Sequence, residues 1–266
     1  KLWAKALMIQ SPQRPPALLI TLDNCLVPAA LREQVAKRLH RRVGLLPDRL
    51  SITATHTHSG PILAGMSKTL YCHPLPQKHR EHIERYTKEL IDKLEQVAIA
   101  AFKNPQPAHL AWARSNASFA HNRRTKGGPV DHDLPVMVAK DLAGKLRAVY
   151  LSYACHCTTL SHNRISGDWA GYAQESIQRH HPSAIALMSV GCGADSNPVR
   201  GEGSQDEVAA IHGREIGAKV ARLLQQKLRP LSGPLNVMFS TIDLHLAPLP
   251  SRAEWERRAQ RDADRG

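Results

Sequence analysis

Short apolar segments alternate along the chain with longer segments in which apolar residues recur at helical spacing. The short segments predict largely buried strands, because each is apolar almost throughout and too short for a typical helix. Alternation of strands and helices is typical of an α/β domain. The predicted strands are Ala17–Leu22, Leu50–Ala54, His109–Ala113, Val136–Ala139, Ala148–Ala154, Ala184–Val190 and Asn236–Ile242.

Helices are predicted between these strands. Leu31, Val35 and Leu39 recur on one helical face, and Gly44 is a plausible end for that helix. Neither an internal repeat nor a low-complexity linker interrupts the pattern. The sequence therefore predicts an α/β fold, with a mixed β-sheet core covered by helices in a single large domain. The other predicted helices are an amphipathic one over Ile83–Ala101, one from about Asp168 to His181, and a last one from about Asp206 to Leu228.

The 266 residues are 42% hydrophobic, which is enough for a sizeable core. No apolar run approaches the roughly 18 residues that a membrane span needs. The chain begins at Lys1 without an initiator Met and stops in a charged, helix-like stretch. We therefore expect residues 1–266 to be a fragment of a longer chain, truncated at both ends.

The charge balance is strongly basic, with 36 Lys and Arg against 23 Asp and Glu. Such a charge favours acidic partners, including nucleic acid and anionic membrane surfaces. However, the basic residues are spread over predicted helices, aromatics are only 5%, and no nucleic-acid-binding motif accompanies them. We therefore expect no nucleic-acid partner. The cysteines are odd in number and lack a disulfide-framework spacing, which leaves the compartment open: Cys25, Cys72, Cys155, Cys157 and Cys192.

The first candidate motif is Thr55-His56-Thr57-His58-Ser59-Gly60-Pro61, directly after a predicted strand. In an extended chain, residues two apart project to the same face, so His56 and His58 would point into one cavity. Two imidazoles on one face suit a metal site, with His58 as a second ligand, a supporting group or an acid/base. An exposed histidine pair at a strand end is the alternative.

The second motif is Cys155-His156-Cys157, at the end of another predicted strand. His156 could be a further metal ligand, and either thiol could be a ligand or a nucleophile. In a regular strand the two cysteines face away from His156, which favours their being small buried apolar residues. We expect His56 and His156 to meet in space, on neighbouring strands that end on the same side of one sheet.

Asp168 lies where a helix is predicted to begin. It could cap that helix, or it could orient a ligand histidine. Asp23, at the end of the first predicted strand, could support the site from behind or cap a loop.

A glycine-rich turn, Gly191-Cys192-Gly193-Ala194-Asp195-Ser196, follows the strand ending at Val190. Its backbone amides could approach a substrate oxygen, and it could present Ser196 at the rim of a site. Its spacing does not match the nucleophile elbow of serine hydrolases. Asn122 and Arg123 lie in a polar loop and could bind a carbonyl or an anion, although a solvated basic loop is an equal alternative.

Together, these motifs follow in order the hallmarks of the neutral, non-lysosomal ceramidases, from the Thr-His-Thr-His motif through Asn122-Arg123, His156 and Ser166-Gly167-Asp168 to Ser196. The chain thus resembles the N-terminal catalytic domain of that family. It departs from the family in the residues around Ser196, and in Arg124, where the family has a small residue.

The resemblance implies a zinc-dependent amide hydrolase that uses zinc-activated water. His56 and His156 would bind Zn²⁺, with a Glu and a Tyr expected downstream of residue 266 as the remaining ligands. His58 and Ser196 would be catalytic, while Asn122, Arg123 and Gly193 would bind substrate. Asp168 and Asp23 would support these residues.

The implied substrate is a small-molecule or lipid amide such as ceramide, with peripheral contact to a membrane surface and an extracytoplasmic or secreted location. A metal-independent serine or cysteine hydrolase and a non-catalytic binding domain that retains the fold are the alternatives.

Overall fold

The computed structural model describes residues 1–66, 74–103, 105–245 and 247–263, so Cys72 lies outside the described residues. Strands and helices alternate along much of the chain, and a 3₁₀ turn at Pro47–Arg49 precedes the third strand. The elements are β1 (Ala4–Ile9), β2 (Ala17–Leu22), α1 (Ala29–Val43), β3 (Leu50–Ala54), α2 (Gln77–Lys103), β4 (Ala108–Asn116), β5 (Ala120–Asn122), β6 (Asp133–Asp141), β7 (Leu146–Tyr153), α3 (Asp168–His180), β8 (Ile185–Val190), β9 (Ser196–Pro198), α4 (Gln205–Leu224), β10 (Arg229–Leu231) and α5 (Arg252–Ala263).

The described strands form mixed sheets, and the predicted α/β class is confirmed. In the first sheet, β2 pairs antiparallel with β1 and parallel with β3. The second sheet has the order β10-β4-β6-β7-β8, in which only the β7–β8 pair is parallel. The short strands β5 and β9 pair separately as an antiparallel ribbon.

Two main hydrophobic clusters lie under these sheets. Ile20, Val35 and Leu94 belong to the first cluster, which β1, β2, α1 and α2 build. Val149 and Trp169 belong to the second, which β6, β7, α3 and α4 build. Both clusters consist of fully or nearly fully buried side chains, so each supplies hydrophobic stabilisation of its own. β3 and β7 end next to the boundary between the two clusters.

The helix predictions hold for local physical reasons. Leu31, Val35 and Leu39 are buried on one face of α1. The helix ends at Gly44, whose φ of 69° is the left-handed conformation that glycine adopts without steric cost. The last predicted helix corresponds to α4, which begins with a capping box between Ser204 and Glu207 and ends at Leu224 rather than Leu228.

Three predictions about elements are wrong. Residues 236–242 form no strand, and Met238 and Ile242 are 92% and 74% exposed, because no neighbouring strand pairs with this segment. Gly167, not Asp168, occupies the N-cap position of α3. The strands that precede the two candidate histidine motifs, β3 and β7, lie in different sheets. Among the described residues, no helix is both long and apolar enough to cross a membrane.

Candidate active site

His56 lies two residues beyond the end of β3, at a sharp change of backbone direction. Its φ of 65° is in the left-handed region, which a residue with a Cβ adopts only at a cost of about 1–2 kcal/mol. The extended conformation predicted for the His-x-His motif is therefore wrong. The turn instead brings His56 Nδ1 to 2.6 Å from the backbone carbonyl of Cys25. A carbonyl can only accept, so Nδ1 carries the proton and Nε2 keeps its lone pair.

His58 faces His56 despite the irregular backbone. The two rings are T-shaped, with centroids 4.8 Å apart, and their Nε2 atoms are 3.3 Å apart. Two ring nitrogens at this separation share either a proton or a cation. Zinc–nitrogen bonds of 2.0–2.1 Å in a tetrahedral site place two ligand nitrogens about 3.3–3.4 Å apart, so the observed separation also suits zinc.

His156 is held at both its ring and its backbone. Ring Nδ1 lies 2.8 Å from the carbonyl of Gly193 and 3.1 Å from that of Ser196, so it too donates and leaves Nε2 free. The backbone N–H of His156 donates to the Ser196 carbonyl at 2.9 Å. Its carbonyl accepts from Nε1 of the fully buried Trp169, also at 2.9 Å. These contacts fix the orientation of the ring.

The three histidine rings converge, as predicted for His56 and His156. The centroids of those two rings are 4.6 Å apart, and His58 lies 5.9 Å from His156. They meet across two sheets, because a parallel bridge between Thr57 and Cys157 joins the segments just beyond β3 and β7. The expectation that His56 and His156 lie on neighbouring strands of one sheet is wrong. The expectation that the two rings meet in space is confirmed.

The cluster contains groups that can bind a metal ion, since one ligand atom each from Cys25, His56 and His58 lies within 4.8 Å of the others. In both His56 and His156 a backbone carbonyl holds Nδ1, the arrangement that usually fixes a histidine ligand with Nε2 toward the metal. The Sγ of Cys25 is 3.7 Å from Nδ1 of His56, on the side of the ring already occupied by a hydrogen bond. Imidazole and thiolate groups are ligands that suit zinc.

Electrostatics favours neutral imidazoles here. Burial lowers the pKa of His58, and the neighbouring His56, His156 and Arg123 lower it further. Burial likewise lowers the pKa of His156, against the opposing effect of the Gly193 carbonyl. At neutral pH the rings of His58 and His156 therefore favour the form that can bind a metal or accept a proton.

The glycine-rich turn holds His156. The N–H of Gly193 donates to the Gly191 carbonyl at 2.8 Å, so this amide is used within the turn, and the expected substrate contact of Gly193 stays a prediction. Ser196 is buried, and its hydroxyl donates to a carboxylate oxygen of Asp195 at 3.3 Å. Its hydrogen-bond partner is thus a carboxylate, and no histidine base is paired with it among the described residues.

Arg123 keeps an exposed charge near the histidines, whereas Asn122 forms hydrogen bonds within its own loop. Nε of Arg123 donates to the Ala194 carbonyl at 3.0 Å, and its exposed guanidinium is close enough to affect His58 and His156. The side chain of Asn122 is used within its own loop, since Oδ1 accepts from the backbone of Arg124 and Thr125. Asn122 therefore shapes the loop, and its expected substrate contact stays a prediction.

Asp168 and Asp23 lie behind the histidines and bind backbone or amide groups. The carboxylate of Asp168 accepts from the N–H groups of Leu160 and Trp169, so it acts on the loop after His156 and not on a histidine ring. That of Asp23 accepts from Trp3 N–H and from the side chain of Gln174. Burial raises the pKa of both carboxyls.

Cys155 and Cys157 are fully buried in the second hydrophobic cluster, as the interpretation of them as small apolar residues predicts. Burial raises the pKa of both thiols well above the ordinary value. A thiolate is therefore strongly disfavoured, which counts against either cysteine as a nucleophile.

Sequence reasoning missed two contributors to the site. The Cys25 carbonyl orients His56, but a backbone acceptor has no sequence signal. Trp169 holds the His156 carbonyl, and its position beside Asp168 was the only indication.

Comparisons with known proteins agree with the motifs. Neutral ceramidase A of Dictyostelium discoideum is 25% identical over 208 residues, which are 71% of this chain and 28% of that protein. The solved structure of the neutral ceramidase from Pseudomonas aeruginosa superimposes with a TM-score of 0.70 at 19% identity. The chain resembles the neutral ceramidases in sequence and fold.

A further structure, a ceramidase complexed with C2, gives the same TM-score of 0.70 at 18% identity. Each superposition covers 87% of this chain and 40% of the solved chain, so this chain spans well under half of the ceramidases it matches. No protein-family model matches the chain. The sequence match and the two superpositions confirm the resemblance to the neutral ceramidases that the motifs predict.

Proposed function

We propose that this chain is the histidine-bearing part of a zinc-dependent hydrolase that cleaves the amide bond of ceramide or a related N-acyl substrate. One observation carries the proposal: His56 and His156 each donate Nδ1–H to a backbone carbonyl, which leaves Nε2 as the possible ligand atom of each ring, and the two ring centroids are 4.6 Å apart. Zinc bound there would polarise the amide carbonyl and lower the pKa of a water molecule.

The other residues have roles that follow from their positions. His58, whose pKa is lowered, can take a proton from the attacking water and deliver it to the departing nitrogen. The products are then an amine and a carboxylic acid. The exposed guanidinium of Arg123 can donate to the oxygen that gains negative charge. The hydroxyl of Ser196, which donates to Asp195 in the structure, is a second candidate donor to that oxygen.

The test compares two variants of the full-length protein. His56→Ala should remove bound zinc and abolish hydrolysis of an N-acyl sphingosine. Ser196→Ala should keep zinc and lower the rate by about 10²–10³, the usual effect of losing one donor to an oxyanion. Zinc is measured by mass spectrometry of the metal, and hydrolysis by release of the fatty acid. An acyl group trapped on Ser196 during turnover would refute the zinc mechanism and make the serine the nucleophile.

A further inference from the structure

A cavity of about 920 Å³ lies beside the three histidines. Thr158, two residues after His156, and Asn197, next to Ser196, are among its lining residues, although the three histidines are not. Most of the remaining lining comes from β5 and the loop that follows it, and from residues 198–200. A cavity of this size can hold a small molecule or the headgroup of a larger one.

The lining is strongly basic. Arg123, Arg124, Lys126 and Arg200 all contribute to it, and none of the described residues that line it is acidic. Ion pairs between described residues do not involve these four cations. By contrast, each of six other arginines pairs with a carboxylate: Arg38, Arg42, Arg114, Arg164, Arg252 and Arg258. Unpaired charges of one sign around a cavity attract an ion of the opposite sign.

The loop that carries three of these charges is internally braced. The side chain of Asn122 accepts from the backbone of Arg124 and Thr125 and donates to the Pro129 carbonyl at 2.9 Å. A Cβ at Gly128 would come within 2.9 Å of the Asn122 amide nitrogen, so the loop closes tightly on this side chain. The backbone N–H of Arg123 also donates to the Asp195 carbonyl at 2.7 Å. The backbone that carries these charges is therefore ordered before a ligand arrives, which lowers the entropy cost of binding.

We propose that this cavity binds a negatively charged group, such as a phosphate, carried by the N-acyl substrate next to its amide bond. The preferred substrates are then anionic N-acyl amides rather than neutral ones. This inference rests on the proposed function for the reaction, but binding of the anion can be measured without turnover.

The experiment uses two probes that differ by one phosphate group, N-lauroylethanolamine and N-lauroylphosphoethanolamine, both below their micelle-forming concentrations. Calorimetric titration of the full-length protein should show the phosphate probe binding about tenfold more tightly, the gain expected from charge-assisted hydrogen bonds. Arg124→Gln and Arg200→Gln should each remove most of that difference and leave the neutral probe unaffected. Arg147→Gln, at an exposed site on β7 outside the cavity, is the matched control and should change neither affinity.

The outcomes separate this inference from the proposed function. Equal affinity for the two probes would overturn the anion site, even if both were hydrolysed. Charge-selective binding without hydrolysis of either probe would support the anion site and count against the proposed function. If the two variants weaken binding to phosphatidylglycerol vesicles but not to the phosphate probe, the basic residues contact a membrane surface and the substrate proposal is wrong.

Discussion

Replacing Gly193 by alanine would test how tightly the glycine-rich turn packs on the end of β7. A Cβ at this position would lie 2.5 Å from both the Ala154 carbonyl carbon and the Cys155 nitrogen, against 3.4–4 Å for an ordinary contact. Both are main-chain atoms, so no side chain can rotate away. Overpacking in a core typically costs 1–3 kcal/mol, and since only backbone movement can relieve this clash we expect about 3 kcal/mol of lost stability.

The same substitution should weaken zinc binding. The Gly193 carbonyl is 2.8 Å from Nδ1 of His156, so a shift of the turn moves the group that orients this ring. Loss of such a partner typically costs about 10–100-fold in metal affinity. Gly171→Ala is the control, because Gly171 lies inside α3 and a Cβ there has no atom within 4 Å. That change should stabilise the protein by about 0.5–1 kcal/mol.

Urea unfolding followed by circular dichroism measures the stability change, and competition with a chelator measures zinc affinity. The stability and the zinc affinity should both fall in Gly193→Ala, and neither should fall in Gly171→Ala. A Gly193→Ala protein within about 0.5 kcal/mol of the parent, the range of a harmless surface change, would refute the packing argument.

Two further predictions concern Lys5 and the cysteines. Burial lowers the pKa of Lys5 from 10.5 to about 8, so between these values the unfolded chain binds more protons and the free energy of unfolding should rise with pH. Urea unfolding at pH 8 and pH 10 should show this rise in the parent and a smaller one in Lys5→Met; equal rises would contradict it. Iodoacetamide should modify the exposed Cys192 in the native protein but not Cys155 or Cys157, as peptide mass spectrometry would show, and early modification of either buried thiol would argue against their burial.

Local periodicity predicted most of the fold, because burial on one helical face or along a short strand leaves a direct trace in the sequence. The strands Ala17–Leu22 and Leu50–Ala54 have the predicted bounds, and α1 ends at Gly44. The false strand at residues 236–242 shows the limit of this reasoning, since an apolar segment becomes a strand only when another strand pairs with it.

The candidate site was predictable by residue type but not by geometry. His56 and His156 could be selected as imidazoles at strand ends, whereas the left-handed backbone of His56 depends on contacts that no local pattern encodes. Gly193 was expected to expose its amide and instead uses it within the turn. Such details depend on how segments far apart in sequence pack together.

The division between two hydrophobic clusters affects how this protein would begin to lose its native structure. His56 follows a strand of the first sheet and His156 follows a strand of the second, and the Thr57–Cys157 bridge joins these segments. Mild heat or denaturant that separates the clusters would part the histidines while each cluster kept its helices and strands. Separation of the histidine rings would then precede the loss of secondary structure, so the histidine cluster reports on the contact between the two clusters and not on the folding of either.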